Sequence, residues 1–317
     1  MKNISILVSL VISVMQSQAL EWPVGQITFH VTDEAGKSLA NVPVDTIVFD
    51  QSKPPATYKV VTSTTDIQGL AAVNTPNISK EYSYAVRNVA GYYLSGGLYK
   101  FDAPTNGQWL PWNPTVEIVL KPVGVQVPMY AKTIWSVPIP EDNKPIGYDL
   151  EIGDWLAPYG KGITSDFVFT SERKFTSITQ AFDATLTLTF HNEGDGIQSV
   201  VSDSSGSSFR IPRSAPEGGY ESKFIKRIYR ETDAKPIVTE TQTNQNYFFR
   251  VRTKKNDEDK IVSALYGKIY GDIEFWPNGK IRFQYYLNSQ LNSRNMEFDP
   301  KQNLFKNLPP LERVSAP

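Results

Sequence analysis

Apolar and polar residues alternate with a period of two along most of this chain. Ile27, Phe29 and Val31 fall on one side of an extended segment, with Thr28, His30 and Thr32 on the other. Ala184, Leu186, Leu188 and Phe190 repeat the pattern against Thr185, Thr187, Thr189 and His191. Such alternation predicts antiparallel strands with one face buried. No apolar stripe with helical spacing occurs beyond the first residues. Further strands are expected over 131–137, 147–152, 166–170, 185–191, 197–202, 224–231, 247–253, 261–276 and 280–287. One hairpin register follows from face matching. A three-residue loop Pro277-Asn278-Gly279 sets Phe275 opposite Ile281, Ile273 opposite Phe283 and Ile269 opposite Leu287. It also pairs Glu274 with Arg282 on the outer face, and expects Gly279 in the left-handed conformation. Tyr270, Trp276 and Tyr286 then share that outer face.

The segment from Gly25 to Tyr93 is punctuated by turns at Asp33-Glu34-Ala35-Gly36, Asp66-Ile67-Gln68-Gly69 and Ala90-Gly91. Its strand, Gly turn, strand, Gly turn order resembles the carboxypeptidase-regulatory-like, or transthyretin-like, β-sandwich module of exported bacterial proteins. The ending Leu120-Lys121-Pro122 is similar to the apolar-Lys-Pro close of that module. The resemblance implies a scaffold or adhesive part. The larger remainder resembles exported bacterial β-proteins of no assigned activity. The fold class expected is all-β: an Ig-like or transthyretin-like sandwich over 20–122, then a larger jelly-roll-like sandwich over 123–305. Residues 306–317, beginning just before Pro309-Pro310, are expected to be disordered.

The first nineteen residues change where this fold would work. Lys2, an apolar run from Ile4 to Met15, and Ser17-Gln18-Ala19 have the order of a signal peptide cleaved after Ala19. No later segment has the uninterrupted apolar length of a membrane helix. With no cysteine the chain has neither disulfides nor thiolate metal ligands. An exported chain of this kind relies on a large core, which the 317 residues less the nineteen of the leader can supply. The 32 basic and 33 acidic residues balance, so nothing favours nucleic acid as a partner.

Candidate chemistry is sparse. There is no Gly-x-Ser-x-Gly elbow and no His-Glu-x-x-His, and His30 and His191 are the two histidines. His30 lies on the polar face of the first strand. Asn192, Glu193 and Asp195 offer hard oxygen ligands on a Gly-rich turn and suit calcium, the one cofactor considered, against the reading of a solvated hairpin turn. Asp149, Glu151 and Asp154 form an acidic cluster that suits paired acids or a solvated edge. Lys223, Lys226, Arg227 and Arg230 put a basic face on one strand.

Aromatics carry the main functional expectation. Trp109 and Trp112 lie in a Pro/Gly-rich stretch read as a surface loop. Trp155 follows Asp154, and Trp276 sits at a hairpin tip beside Tyr270 and Tyr286. Exposed rings stack on sugars, and Asp154 or Arg282 would bond hydroxyls; packed rings would instead fill the core. The reading is a secreted, non-catalytic binding or structural protein of the bacterial envelope or exterior, directed at carbohydrate. Its partners would be polysaccharide or other envelope proteins. A glycan-active enzyme using carboxylates of the second sandwich, and a structural subunit of a surface assembly, stay open as alternatives.

Overall fold

The computed structural model describes residues 22–50, 57–203, 205–240 and 244–317. The signal peptide expected over 1–19 lies outside the described residues. No helix among these residues is long and apolar enough to cross a membrane.

The chain is all-β and divides into two compact units, one of residues 1–89 and 96–119, the other of 90–95 and 120–317. The first contains β1 (Val24–Asp33), β2 (Pro43–Asp50), β3 (Thr57–Thr64), β4 (Leu70–Pro76), β5 (Glu81–Val86), and most of β6 (Ser95–Lys100) and β7 (Thr115–Leu120). They form a three-stranded sheet, β4-β1-β7, and a four-stranded sheet, β3-β2-β5-β6. Ile27, Phe29 and Val31 of β1 are buried, as the alternation requires. Phe29 meets Tyr84 of β5 at 5.1 Å between ring centroids. The Tyr82 hydroxyl donates to Thr75 O at 2.8 Å and accepts from Gly25 N at 3.1 Å, tying β5 to β4 and β1.

The second unit contains β8 (Met129–Pro138), β9 (Ile146–Asp149), β10 (Asp154–Trp155), β11 (Phe167–Lys174), β12 (Phe182–Thr189) and β13 (Gly196–Val201). It continues with β14 (Lys223–Arg230), β15 (Val238–Thr239), β16 (Gln245–Lys255), β17 (Ile261–Phe275) and β18 (Lys280–Asn288). A six-stranded sheet, β10-β9-β11-β12-β14-β15, faces a five-stranded sheet, β13-β16-β17-β18-β8. Phe167, Phe169, Leu186 and Leu188 from the first meet Phe249, Ile269, Ile273 and Phe283 from the second in one core.

The five-stranded sheet is buried on its other face as well. Tyr266, Tyr270 and Tyr286 are covered there by Ile211, Met296, Phe298 and Val314. Strands covered on both faces lose the alternating exposure that marks a one-sided sheet. The expectation of a disordered tail over 306–317 is therefore corrected. Val314 is buried, Pro310–Glu312 form a 3-10 turn, and Ala316 O accepts a hydrogen bond from the Tyr286 hydroxyl. The second unit also takes in residues 90–95. Tyr93 belongs to the second unit, stacked on Phe209 and donating its hydroxyl to Glu297 at 2.9 Å.

The hairpin register holds at its tip. Phe275 opposes Ile281, Glu274 opposes Arg282, and Gly279 has φ +82°. Further along it slips by two residues, so that Ile269 opposes Tyr285 and Gly267 opposes Leu287. Gly271-Asp272-Ile273 stand against Phe283 alone. An even shift preserves the faces, and Ile269 and Ile273 still reach the core.

Candidate functional site

Three interruptions of the five-stranded sheet decide where its charged and aromatic side chains point. A bulge adds residues to one strand and re-aims the side chains there.

The bulge in β17 is permitted by Gly271, at φ +81°, whose N–H donates to the buried Asn246 side chain at 3.1 Å. It sends Asp272 toward β14 and β16. There the Asp272 carboxylate accepts from Lys226 Nζ and, at 2.9 Å, from the Tyr247 hydroxyl. Lys226 is buried, so the basic face expected of β14 is divided: Lys226 points inward while Arg227 pairs with Asp183 outside. The pair lines a cavity of about 260 Å³ with Ile197, Phe224 and Gln245. Burial, followed by the Asp272 charge, pushes the Tyr247 phenol up, so it remains a proton donor.

The bulge in β16 sets Arg252 and Thr253 against Ala264 alone, with Arg252 at φ +55°. The Arg252 guanidinium meets Asp166 through Nε at 2.8 Å, Glu151 at 2.7 Å and Asp149 at 3.5 Å. Burial opposes the Arg252 charge, but the bonds and charges of Asp166 and Glu151 outweigh it and hold the guanidinium above its usual range. Burial pushes Asp166 up, only partly countered by Arg252. Asp149 is held below its usual range because the amides of Thr164, Ile163, Ile152 and Glu151 outweigh its burial. The Asp149–Glu151 cluster thus surrounds an arginine. This is a saturated charge centre, with no pair of acids facing an open groove.

Asp195 serves the same bulge. Its carboxylate accepts the Thr253 amide at 2.8 Å and the Asn192 side-chain amide at 2.9 Å. Glu193 points away to Lys255. Of the three residues expected to suit calcium, Asn192 and Asp195 are thus bonded to each other while Glu193 is paired with Lys255.

The bulge in β8 sets Trp135 and Ser136 against Arg282 alone, with Ser136 at φ +54°. Ile134 stays in the core, and Trp135 is turned out, 45% exposed. The Arg282 guanidinium lies 3.9 Å from the centre of the Trp135 ring and 3.3 Å from Glu274. Gln284 continues the outer row of β18 and accepts from Thr133 at 3.3 Å. Trp276, two residues beyond Glu274, is half-buried. The result is a partly exposed indole with a guanidinium stacked over one face, and a carboxylate bound to that guanidinium.

The rings singled out from the sequence separate sharply. Trp155 is a core residue, edge-on to Tyr148 at 5.1 Å and Phe169 at 5.8 Å. Its neighbour Asp154 accepts the amides of Trp155 and Lys161, bracing a turn. Trp109 is buried, its indole N–H bonded to Asn77 O at 3.0 Å, and not a loop-surface platform. Tyr270 and Tyr286 do share the outer face, but the tail and Phe298 cover it. Trp112 is exposed and belongs to the first unit. Trp135, which alternation assigns to an ordinary strand, was missed. The signal for it is weak: a Trp-Ser step opposite a charged hairpin.

No family model and no curated protein matches the chain. Among solved structures, it is similar to a DUF3823 family protein from Parabacteroides merdae at 9% identity, covering 88% of this chain and 100% of that one, with a TM-score of 0.24. A shaft pilin, spaA, from Lactobacillus rhamnosus GG gives 13% identity, 72% and 86% coverage and a TM-score of 0.24. BcpA, the major pilin subunit of Bacillus cereus, gives 10%, 82%, 95% and 0.22. Likenesses of this size assign no function.

Proposed function

We propose that this is an exported binding protein of the bacterial envelope or exterior whose second sandwich recognises carbohydrate through Trp135, Arg282 and Glu274. The observation that carries the reading is the outward rotation of Trp135 at a left-handed Ser136, with Arg282 stacked over one face of its ring and the indole still 45% exposed. A sugar ring presents apolar C–H faces and a rim of hydroxyls. An exposed indole takes the face, while a guanidinium and a carboxylate take the rim. Stacking of this kind requires no chemistry at the site. A glycan array probed with the chain lacking residues 1–19, beside its Trp135→Ala variant, tests it. Retention of specific glycans by the first and at least about 10-fold weaker retention by the second supports the reading. No glycan bound by either ends it.

A structural-subunit reading is favoured by β3, an edge strand of the first unit with Tyr58 and Val60 exposed. Exposed apolar edges pair with other chains. Concentration-dependent sedimentation abolished by Val60→Lys would support it.

A further inference from the structure

We propose that Ser38, His30 and Glu117 of the first sandwich form an acyl-transfer site. This goes beyond the binding reading and rests on different residues. His30 lies on the outer face of β1, Glu117 on the adjacent β7, and Ser38 follows the turn that leaves β1. Glu117 Oε2 is 2.7 Å from His30 Nδ1, and Ser38 Oγ is 3.2 Å from Nε2. An ionised carboxylate only accepts, so the ring proton sits on Nδ1. In the neutral ring Nε2 then carries the lone pair, and the Ser38 hydroxyl is its donor. The hydroxyl and carboxylate thus occupy opposite nitrogens in the order that general-base activation of a serine needs.

Access and surroundings agree. Ser38 and His30 are half-buried, and Leu70, directly across from His30 on β4, is 38% exposed and offers an apolar shelf. The Ser38 amide makes no hydrogen bond among the described residues, so it is free to donate to a developing oxyanion. The site is a shallow surface, which suits small acyl groups on activated esters. Ser38 Oγ attacks the carbonyl carbon as its proton passes to His30 Nε2. The ester C–O bond breaks and the leaving oxygen takes that proton. Water, deprotonated by the same nitrogen, then attacks the acyl-serine, releasing the carboxylic acid and restoring Ser38. Glu117 is a positioning residue.

The test uses the full chain with a fluorophosphonate probe at pH 8, mapped by mass spectrometry, and p-nitrophenyl acetate as substrate. The expected result is one phosphonyl group on Ser38 and none on Ser38→Ala. His30→Ala labels about 10²-fold more slowly and regains part of the rate with added imidazole. Glu117→Asp keeps more of the rate than the isosteric Glu117→Gln, while both melt as the parent does. Absence of an adduct, an adduct equally present in Ser38→Ala, or His30→Ala labelling at the parent rate would each overturn the proposal and leave a polar ladder across three chain segments. None of these outcomes touches the binding reading, which depends on Trp135.

Discussion

The bulges of β16 and β8 use the same backbone device for opposite ends. Each adds one residue, and each holds a non-glycine residue in the left-handed region, Arg252 at φ +55° and Ser136 at φ +54°. Such a conformation costs on the order of 1–3 kcal/mol and persists where its surroundings fix it. At Arg252 the surroundings are carboxylates, and every one is also bonded to main chain or to the arginine. At Ser136 the gain is an indole that Arg282 covers on one face and that stays 45% exposed. The difference teaches that an unusual strand geometry does not by itself mark function. What separates the two is whether the side chain delivered is already saturated by partners.

The largest effect expected from breaking the saturated centre comes from Arg252→Ala. It leaves Asp166 buried without its cation and should cost about 3–5 kcal/mol, seen as a lowered midpoint in urea. Arg252→Gly should cost roughly 1 kcal/mol less than Arg252→Ala, because glycine tolerates the left-handed backbone. Equal costs would show that the backbone there carries no strain.

A buried amine sharpens the comparison, its Nζ donating to the Tyr270 hydroxyl at 3.1 Å and to Pro317 O at 3.0 Å. Lys268 is fully enclosed, its Nζ 4.2 Å from the Tyr270 ring centre and 4.5 Å from that of Tyr286. Burial holds its amine well below the usual 10.5, opposed only in part by Glu297. The unfolded chain therefore binds a proton that the folded chain releases. Stability should rise with pH from the depressed folded value toward 10.5, relative to Lys268→Met. Tyrosines raised by burial oppose this trend as unfolded phenols ionise near 10, so melting curves are best compared from pH 7 to 9.5. Parallel curves would contradict the assignment.

Much of the frame was legible in the sequence, because strands with one solvated face print their alternation. The strands expected at 131–137, 185–191, 224–231 and 247–253 overlap β8, β12, β14 and β16. The Pro277-Asn278-Gly279 turn and the Glu274–Arg282 pair were legible for the same reason. The site was not. A bulge of one residue leaves no trace in composition, so Trp135 and Arg252 read as ordinary strand residues. Tyr270 and Tyr286 read as a platform because alternation says which face a residue is on and not what later chain covers it. Asp149 and Glu151 looked like free acids because their partner lies over a hundred residues away.

On the acid side, Asp149→Asn should flatten the stability curve. A carboxyl held below its unfolded value of about 3.8 stabilises the fold above that pH and loses this as pH falls through the folded value. The parent should therefore lose stability more steeply than Asp149→Asn on acidification below about pH 4. An identical acid limb would remove Asp149 from the centre. The smallest effect expected is at the open bulge. Ser136→Gly relieves a left-handed backbone and should change stability by less than about 1 kcal/mol while glycan retention persists.

The most direct measurement pairs Trp135→Ala with Trp155→Ala, reading retardation in polysaccharide-containing gels beside melting temperature. The account predicts that Trp135→Ala melts within about 2 °C of the parent and loses retardation, since an exposed ring contributes little to folding. Trp155→Ala, emptying the core, should be destabilised by about 3–5 kcal/mol. A Trp135→Ala variant that keeps full retardation, or melts as low as Trp155→Ala, would contradict it.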